Sequence, residues 1–233
     1  MELGQWEEAV KSYKAALKLK PDFAGAYNKL GSSLLELDQL DESVRSYEAA
    51  LKHKPDYVEA INNLGIAFYK LQQMDDAMKY YKRALALDPD FADAHNNIGI
   101  VYLDLGQLDE AAQSYKAALK LKPEFVEAHY NLAVVLQDLG QIEDAIESYK
   151  DVIAIDIGFF KAHNNLGVAL LDLDQFDEAV KSYKAALELK PDYVEAINNL
   201  GIAFFKLHQL DDAVKCYERA LVLDPVSADA HNN

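Results

Sequence analysis

Apolar residues recur along the chain at helical spacing, in short stripes that start and stop on a fixed schedule. In 58–71, VEAINNLGIAFYKL, the residues Ile61, Leu64, Gly65, Phe68 and Leu71 follow the i, i+3, i+4, i+7 rule of one buried face. In 75–88, DDAMKYYKRALALD, a second stripe runs through Ala77, Tyr81, Ala84 and Leu85. The spacing predicts two short amphipathic helices. Asp75 and Asp76 fall at the start of the second, where the macrodipole favours carboxylates, and Pro89 follows its end because proline cannot continue the hydrogen-bond ladder. Small residues, Gly65, Ala77 and Ala84 here, let helix axes approach closely, so the pair packs antiparallel and the next pair stacks on it.

The schedule has a period of 34 residues. Pro21, Pro55, Pro89, Pro123, Pro191 and Pro225 keep it with one gap, at Ile157, and Tyr13, Tyr47, Tyr81, Tyr115, Tyr149, Tyr183 and Tyr217 keep it without one. The stretch KPDYVEAINNLGIAF occurs letter for letter at 54–68 and again at 190–204. This L-G…A…Y…A…P pattern resembles the tetratricopeptide repeat from end to end. The resemblance implies an all-α, right-handed superhelical solenoid of antiparallel helix pairs, one domain over 1–233. Full repeats read 24–57, 58–91, 92–125, 126–159, 160–193 and 194–227. Residues 1–23 read as the second helix of a truncated repeat and 228–233 as the opening of another, so the expectation is a fragment of a longer array. Residues 23–97 match 159–233, which points to duplication in blocks, although 3–23 against 105–125 suggests a different history.

Repeat 126–159 departs from its sisters, with Ala133 for Gly, Val152 for Ala, and Ile157-Gly158 for Pro-Asp. Two readings are open: drift absorbed by repacking, or a soft joint, since Gly158 adds backbone freedom where proline removed it.

Charge narrows the partners. A formal charge of −16 disfavours nucleic acid and anionic membrane, both of which need clustered Lys and Arg, and favours neutral or basic proteins. A single cysteine, Cys216, precludes an internal disulfide and suits a cytoplasmic compartment. Phosphate-loop, nucleophile-elbow and metalloprotease signatures are absent, so no enzyme, cofactor or metal is expected. His95, His129, His163 and His231 share one register, but ligands repeated along stacked helices lie about 8–10 Å apart, too far to converge on an ion. Packing is the expected role. The carboxylates of Asp41-Glu42, Asp109-Glu110 and Asp177-Glu178 read as helix-start charges, and the lysines of the second helices as a solvated face.

The paired asparagines of the first helices are harder to assign to packing. The second recurs as Asn63, Asn97, Asn131, Asn165 and Asn199, usually preceded by Asn62, Asn96, Asn164 or Asn198, and Asn233 continues the series; Lys29 breaks it. Asparagine inside a helix costs up to about 0.7 kcal/mol relative to alanine, so something favours it each time. Inheritance with local hydrogen bonding is one explanation. Recognition is the other, because a carboxamide both donates and accepts and can grip a peptide backbone without reading its sequence. The series resembles the asparagine ladder in the tetratricopeptide arrays of O-linked N-acetylglucosamine transferases, which implies a groove for an extended peptide. Glu59, Asp93, Glu127 and Glu195 would edge it with acid, while Ile66, Ile100, Val134, Val168 and Ile202 are either its floor or inter-repeat packing. A carboxylate clamp for chaperone tails needs paired Lys and Arg, and only Lys161 with Asn165 resembles a piece of one.

The expected function is therefore a protein-interaction scaffold binding an extended, neutral or basic peptide. Alternatives are the substrate-recognition arm of a larger, glycosyltransferase-like enzyme, and a structural array that forms homo-oligomers through uncapped ends.

Overall fold

The computed structural model describes residues 3–225, all of whose regular structure is helical. The expected opening helix at 228–233, with Asp229, His231 and Asn233, lies outside them. After α1 (Leu3–Leu19), helices of 13 and 14 residues alternate. The first compact unit, Met1–Lys122, holds α1, α2 (Ala24–Glu36), α3 (Leu40–His53), α4 (Val58–Lys70), α5 (Met74–Leu87), α6 (Ala92–Asp104) and α7 (Leu108–Leu121). The second, Pro123–Asn233, holds α8 (Val126–Asp138), α9 (Ile142–Ile155), α10 (Phe160–Asp172), α11 (Phe176–Leu189), α12 (Val194–Lys206) and α13 (Leu210–Leu223). Within each unit every helix packs on the next. First helices also touch first helices, α2 with α4, α4 with α6, and α10 with α12.

A glycine–tyrosine contact fixes five of the helix pairs. A Cβ built on Gly65 would lie 2.5 Å from Cε1 of Tyr81, and Gly31, Gly99, Gly167 and Gly201 face Tyr47, Tyr115, Tyr183 and Tyr217 at 2.5–2.6 Å. Any larger residue must push the ring away. The tyrosine rings fill the core beside Ala50, Ala84, Ala118 and Ala186, all fully buried. In the odd repeat Ala133 takes the glycine's place opposite Tyr149, whose hydroxyl donates to Gln137 Oε1 at 3.2 Å.

The short junctions are built from backbone. After each first helix, one residue takes positive φ: Asp38 (57°), Gln72 (61°), Gly106 (71°), Gly140 (74°), Asp174 (56°) and His208 (60°). The amide of the next residue reaches back to a helix carbonyl, as Gln39 to Leu34 and Gln73 to Phe68, both 2.9 Å. This is the Schellman stop, and only two of the six positions hold the glycine it favours. The second helices then begin with acids, such as Asp75-Asp76 and Asp177-Glu178, where they complement the dipole.

The longer linkers are tethered from the following helix. His95, His129 and His163 each bring Nε2 to a carbonyl six residues back, Pro89, Pro123 and Ile157, at 3.1, 2.9 and 3.1 Å. A carbonyl only accepts, so Nε2 carries the proton. In the linkers at Pro55 and Pro191 the carbonyl accepts instead from Arg83 and Arg219, on the second helix that follows. Ile157 stands 76% exposed, while Gly158 N–H bonds Asp156 Oδ1 at 3.0 Å, as Asp90 does Asp88 at 3.1 Å.

Candidate peptide-binding face

The asparagine pair sits one turn inside each first helix, and its two members face differently. Asn62, Asn96, Asn164 and Asn198, with Asn28 before them, are only 0–6% exposed. Asn63, Asn97, Asn131, Asn165 and Asn199 are half-buried. Where first helices lie side by side within a unit, the second asparagine of one repeat can reach the first of the preceding repeat, while among the described residues the buried Oδ1 atoms of Asn96 and Asn198 have no partner. Asn63 Nδ2 donates to Asn28 Oδ1 at 3.1 Å, Asn97 to Asn62 at 3.0 Å, and Asn199 to Asn164 at 3.1 Å. The offset is 35 residues, one repeat plus one.

This bond supplies the recurring advantage that the helix cost of asparagine demands. A typical intramolecular hydrogen bond contributes about 0.5–1.5 kcal/mol net, enough to offset up to about 0.7 kcal/mol of propensity. Leaving the buried acceptor without its donor is costlier still. Where Tyr130 replaces the first asparagine, its hydroxyl takes over as acceptor, receiving Asn165 Nδ2 at 3.1 Å. Asn165 is the most engaged of the series. Its Nδ2 also lies 3.5 Å from Tyr149 Oη, and its Oδ1 accepts from Asn164 at 3.2 Å.

The acids do not form one uniform edge. Glu59, Glu127 and Glu195 are exposed and Asp93 is half-buried. Glu195 is drawn into the network: its Oε1 accepts from Asn164 Nδ2 at 3.0 Å and its Oε2 from the Tyr193 hydroxyl at 2.8 Å. Burial, reinforced by that bond, raises the Tyr193 phenol far above its usual pKa. Ile66, Ile100, Val134, Val168 and Ile202 are half-buried, and Ile66 packs against the core clusters on both sides of α4.

Toward the far ends of the first helices lies a second set of bonds with the same offset, which the sequence reading did not anticipate. Tyr69 donates to Asp104 Oδ2 at 2.6 Å and Gln137 Nε2 to Asp172 Oδ2 at 3.3 Å. Burial first, then the Asp104 carboxylate, pushes the Tyr69 phenol up to about 12. The lone thiol, Cys216, is raised by burial and so is a poor nucleophile. Among the described residues no three His, Cys, Asp or Glu side chains gather to hold a metal, and no helix is long and apolar enough to cross a membrane.

A family model described as TPR repeat matches residues 1–38, 31–72, 67–106, 101–140, 135–174 and 169–208, and one described as tetratricopeptide repeat matches 194–225. The chain belongs to the tetratricopeptide-repeat family. Its fold is an all-α helical-repeat solenoid, and solved structures share it. YrrB, described as a TPR protein with an unusual peptide-binding site, superposes with a TM-score of 0.72 at 22% identity, over 81% of this chain and 97% of its own. PilF of Pseudomonas aeruginosa gives 0.81 at 19% identity, covering 90% and 95%. MamA gives 0.67 at 25% identity, covering 70% and 95%. No curated protein matches the chain significantly in sequence. Tetratricopeptide-repeat proteins are generally non-catalytic, and the chain is a scaffold for protein–protein interaction.

Proposed function

We propose that this scaffold binds an extended, neutral or basic peptide along the face of its first helices, with the second asparagines as rungs. The observation that carries the reading is a division of labour between the asparagines. The buried Asn28, Asn62 and Asn164 each hold one amide hydrogen of the next repeat's second asparagine, which fixes that side chain's orientation before any ligand arrives. Asn63, Asn97 and Asn199 each keep a second amide hydrogen and a carbonyl oxygen, the donor and acceptor a peptide backbone needs. Such preorganisation lowers the ordering cost of binding. Rungs on neighbouring helices about 8–10 Å apart would meet roughly every third residue of an extended chain rising about 3.3–3.6 Å per residue. The net charge of −16 favours a neutral or basic partner over an acidic one. YrrB, a family relative in fold with a described peptide-binding site, adds support by analogy.

The test uses a twelve-residue peptide selected against this chain from a random display library. Replacing Asn63 and Asn97, neighbouring rungs of the first unit, by alanine is expected to weaken its binding at least about tenfold, roughly 1.4 kcal/mol for the pair, with the helical circular dichroism retained. Unchanged affinity by calorimetry would remove the ladder.

A further inference from the structure

One side chain in the second unit is unlike its counterparts, and it builds a site. The position opening each first helix holds Ala24, Val58, Ala92, Val126 and Val194, but Phe160 in α10. Phe160 meets Tyr193 edge-on, with centroids 5.1 Å apart and planes at 84°. The ammonium of Lys190 lies over both rings, 5.0 Å from the Phe160 centroid and 5.4 Å from that of Tyr193. Elsewhere the linker lysine covers one ring alone, as Lys54 covers Tyr57 at 4.6 Å and Lys20 covers Phe23 at 5.2 Å. Beside the rings stands Glu195, an exposed carboxylate bonded by the Tyr193 hydroxyl and by Asn164.

Two half-buried aromatic rings and a held carboxylate are what a cation of a partner requires. The ring faces attract it through their quadrupoles, and the carboxylate supplies opposite charge in a fixed place. The chain's own Lys190 already demonstrates that the rings accept a cation. Its tether is a flexible four-carbon stem, so it can yield to a competitor.

We propose that Phe160, Tyr193 and Glu195 form a subsite for an arginine or lysine side chain of the bound peptide, which displaces Lys190. This deepens the reading of the face as a peptide groove and rests on it. It assigns the partner a basic anchor residue at one point in that groove, close to Asn164 and Asn199.

The probe is the blocked tripeptide acetyl-Gly-Arg-Gly-amide, titrated into the whole chain while the ring signals of Phe160 and Tyr193 are followed by NMR. The same tripeptide with citrulline is the uncharged control. Saturable shifts at both rings are expected with arginine and not with citrulline. Lys190→Ala should tighten binding by about three- to tenfold, because the resident cation is gone, whereas Lys54→Ala should change nothing. Glu195→Gln should weaken it by about threefold or more at unchanged helix content. Equal shifts with citrulline, or an affinity that Lys190→Ala leaves the same or lowers, would overturn the site. The tripeptide is too short to span two rungs, so its binding reports on this subsite alone, while the asparagine substitutions with the longer peptide report on the ladder.

Discussion

Residues 54–68 and 190–204 are identical, yet they make different bonds. In the first, the Tyr57 hydroxyl accepts from Asn28 Nδ2 at 3.4 Å, and Lys54 covers one ring. In the second, the Tyr193 hydroxyl donates to Glu195, Asn164 bonds that carboxylate instead of the tyrosine, and Lys190 covers two rings. The difference comes from the preceding repeat, which offers Ala24 and Lys29 to one copy and Phe160 and Asn165 to the other. In a stacked array a residue's chemistry is set as much by the neighbour it leans on as by its own unit. Duplication copies the letters, and the interface assigns the role.

What the two copies share should fail alike. Gly65→Ala and Gly201→Ala both drive a Cβ to 2.5 Å from a tyrosine ring, and each should lower stability by about 1–3 kcal/mol in thermal unfolding. A neutral outcome at both would mean the rings move freely and the glycine–tyrosine contact does not fix the pairs. What they do not share should fail apart. Glu195→Gln removes a charged acceptor with two donors and should cost about 0.5–1 kcal/mol, discounted for its exposure, against a few tenths or less for Glu59→Gln. Equal losses in urea titrations would erase the distinction drawn between the copies.

The smallest effect concerns pH, and it too separates the two regions, because the residue just after the first copy is Tyr69 and just after the second is Phe205. In an unfolded chain a tyrosine titrates near about 10, whereas Tyr69 in the fold holds its proton up to about 12. The folded state binds the proton more tightly, so this contribution is whole below about pH 10 and is lost as the pH climbs through about 12. Stability should decline over that window, and Tyr69→Phe should remove its own share of the decline. A slope identical in the variant would show that burial and the Asp104 bond do not raise the Tyr69 phenol in the fold.

The fold was legible because a period of 34 residues carries its own punctuation: proline, tyrosine, glycine and alanine at set places. The asparagines were legible as unusual, since nothing in an isolated helix favours them. Their bond was not read, although the offset of 35 was present in the spacing, because it joins helices whose adjacency only the fold reveals. Tyr130 as a substitute acceptor was hidden for the same reason. The histidines read as packing, and they also tether linker carbonyls, partners that sequence does not display. The Schellman stops at Asp38, Gln72, Asp174 and His208 were invisible because these residues do not advertise a left-handed backbone as glycine does.

The central claim is that a buried first asparagine, as at Asn28, Asn62 and Asn164, couples its repeat to the next while the second presents its amide outward. A double-mutant cycle between Asn62 and Asn97, followed by urea unfolding of Asn62→Ala, Asn97→Ala and the double variant, tests it most directly. The account predicts a coupling of about 0.5–1.5 kcal/mol, with the double variant losing less than the two singles together. Strict additivity would contradict it.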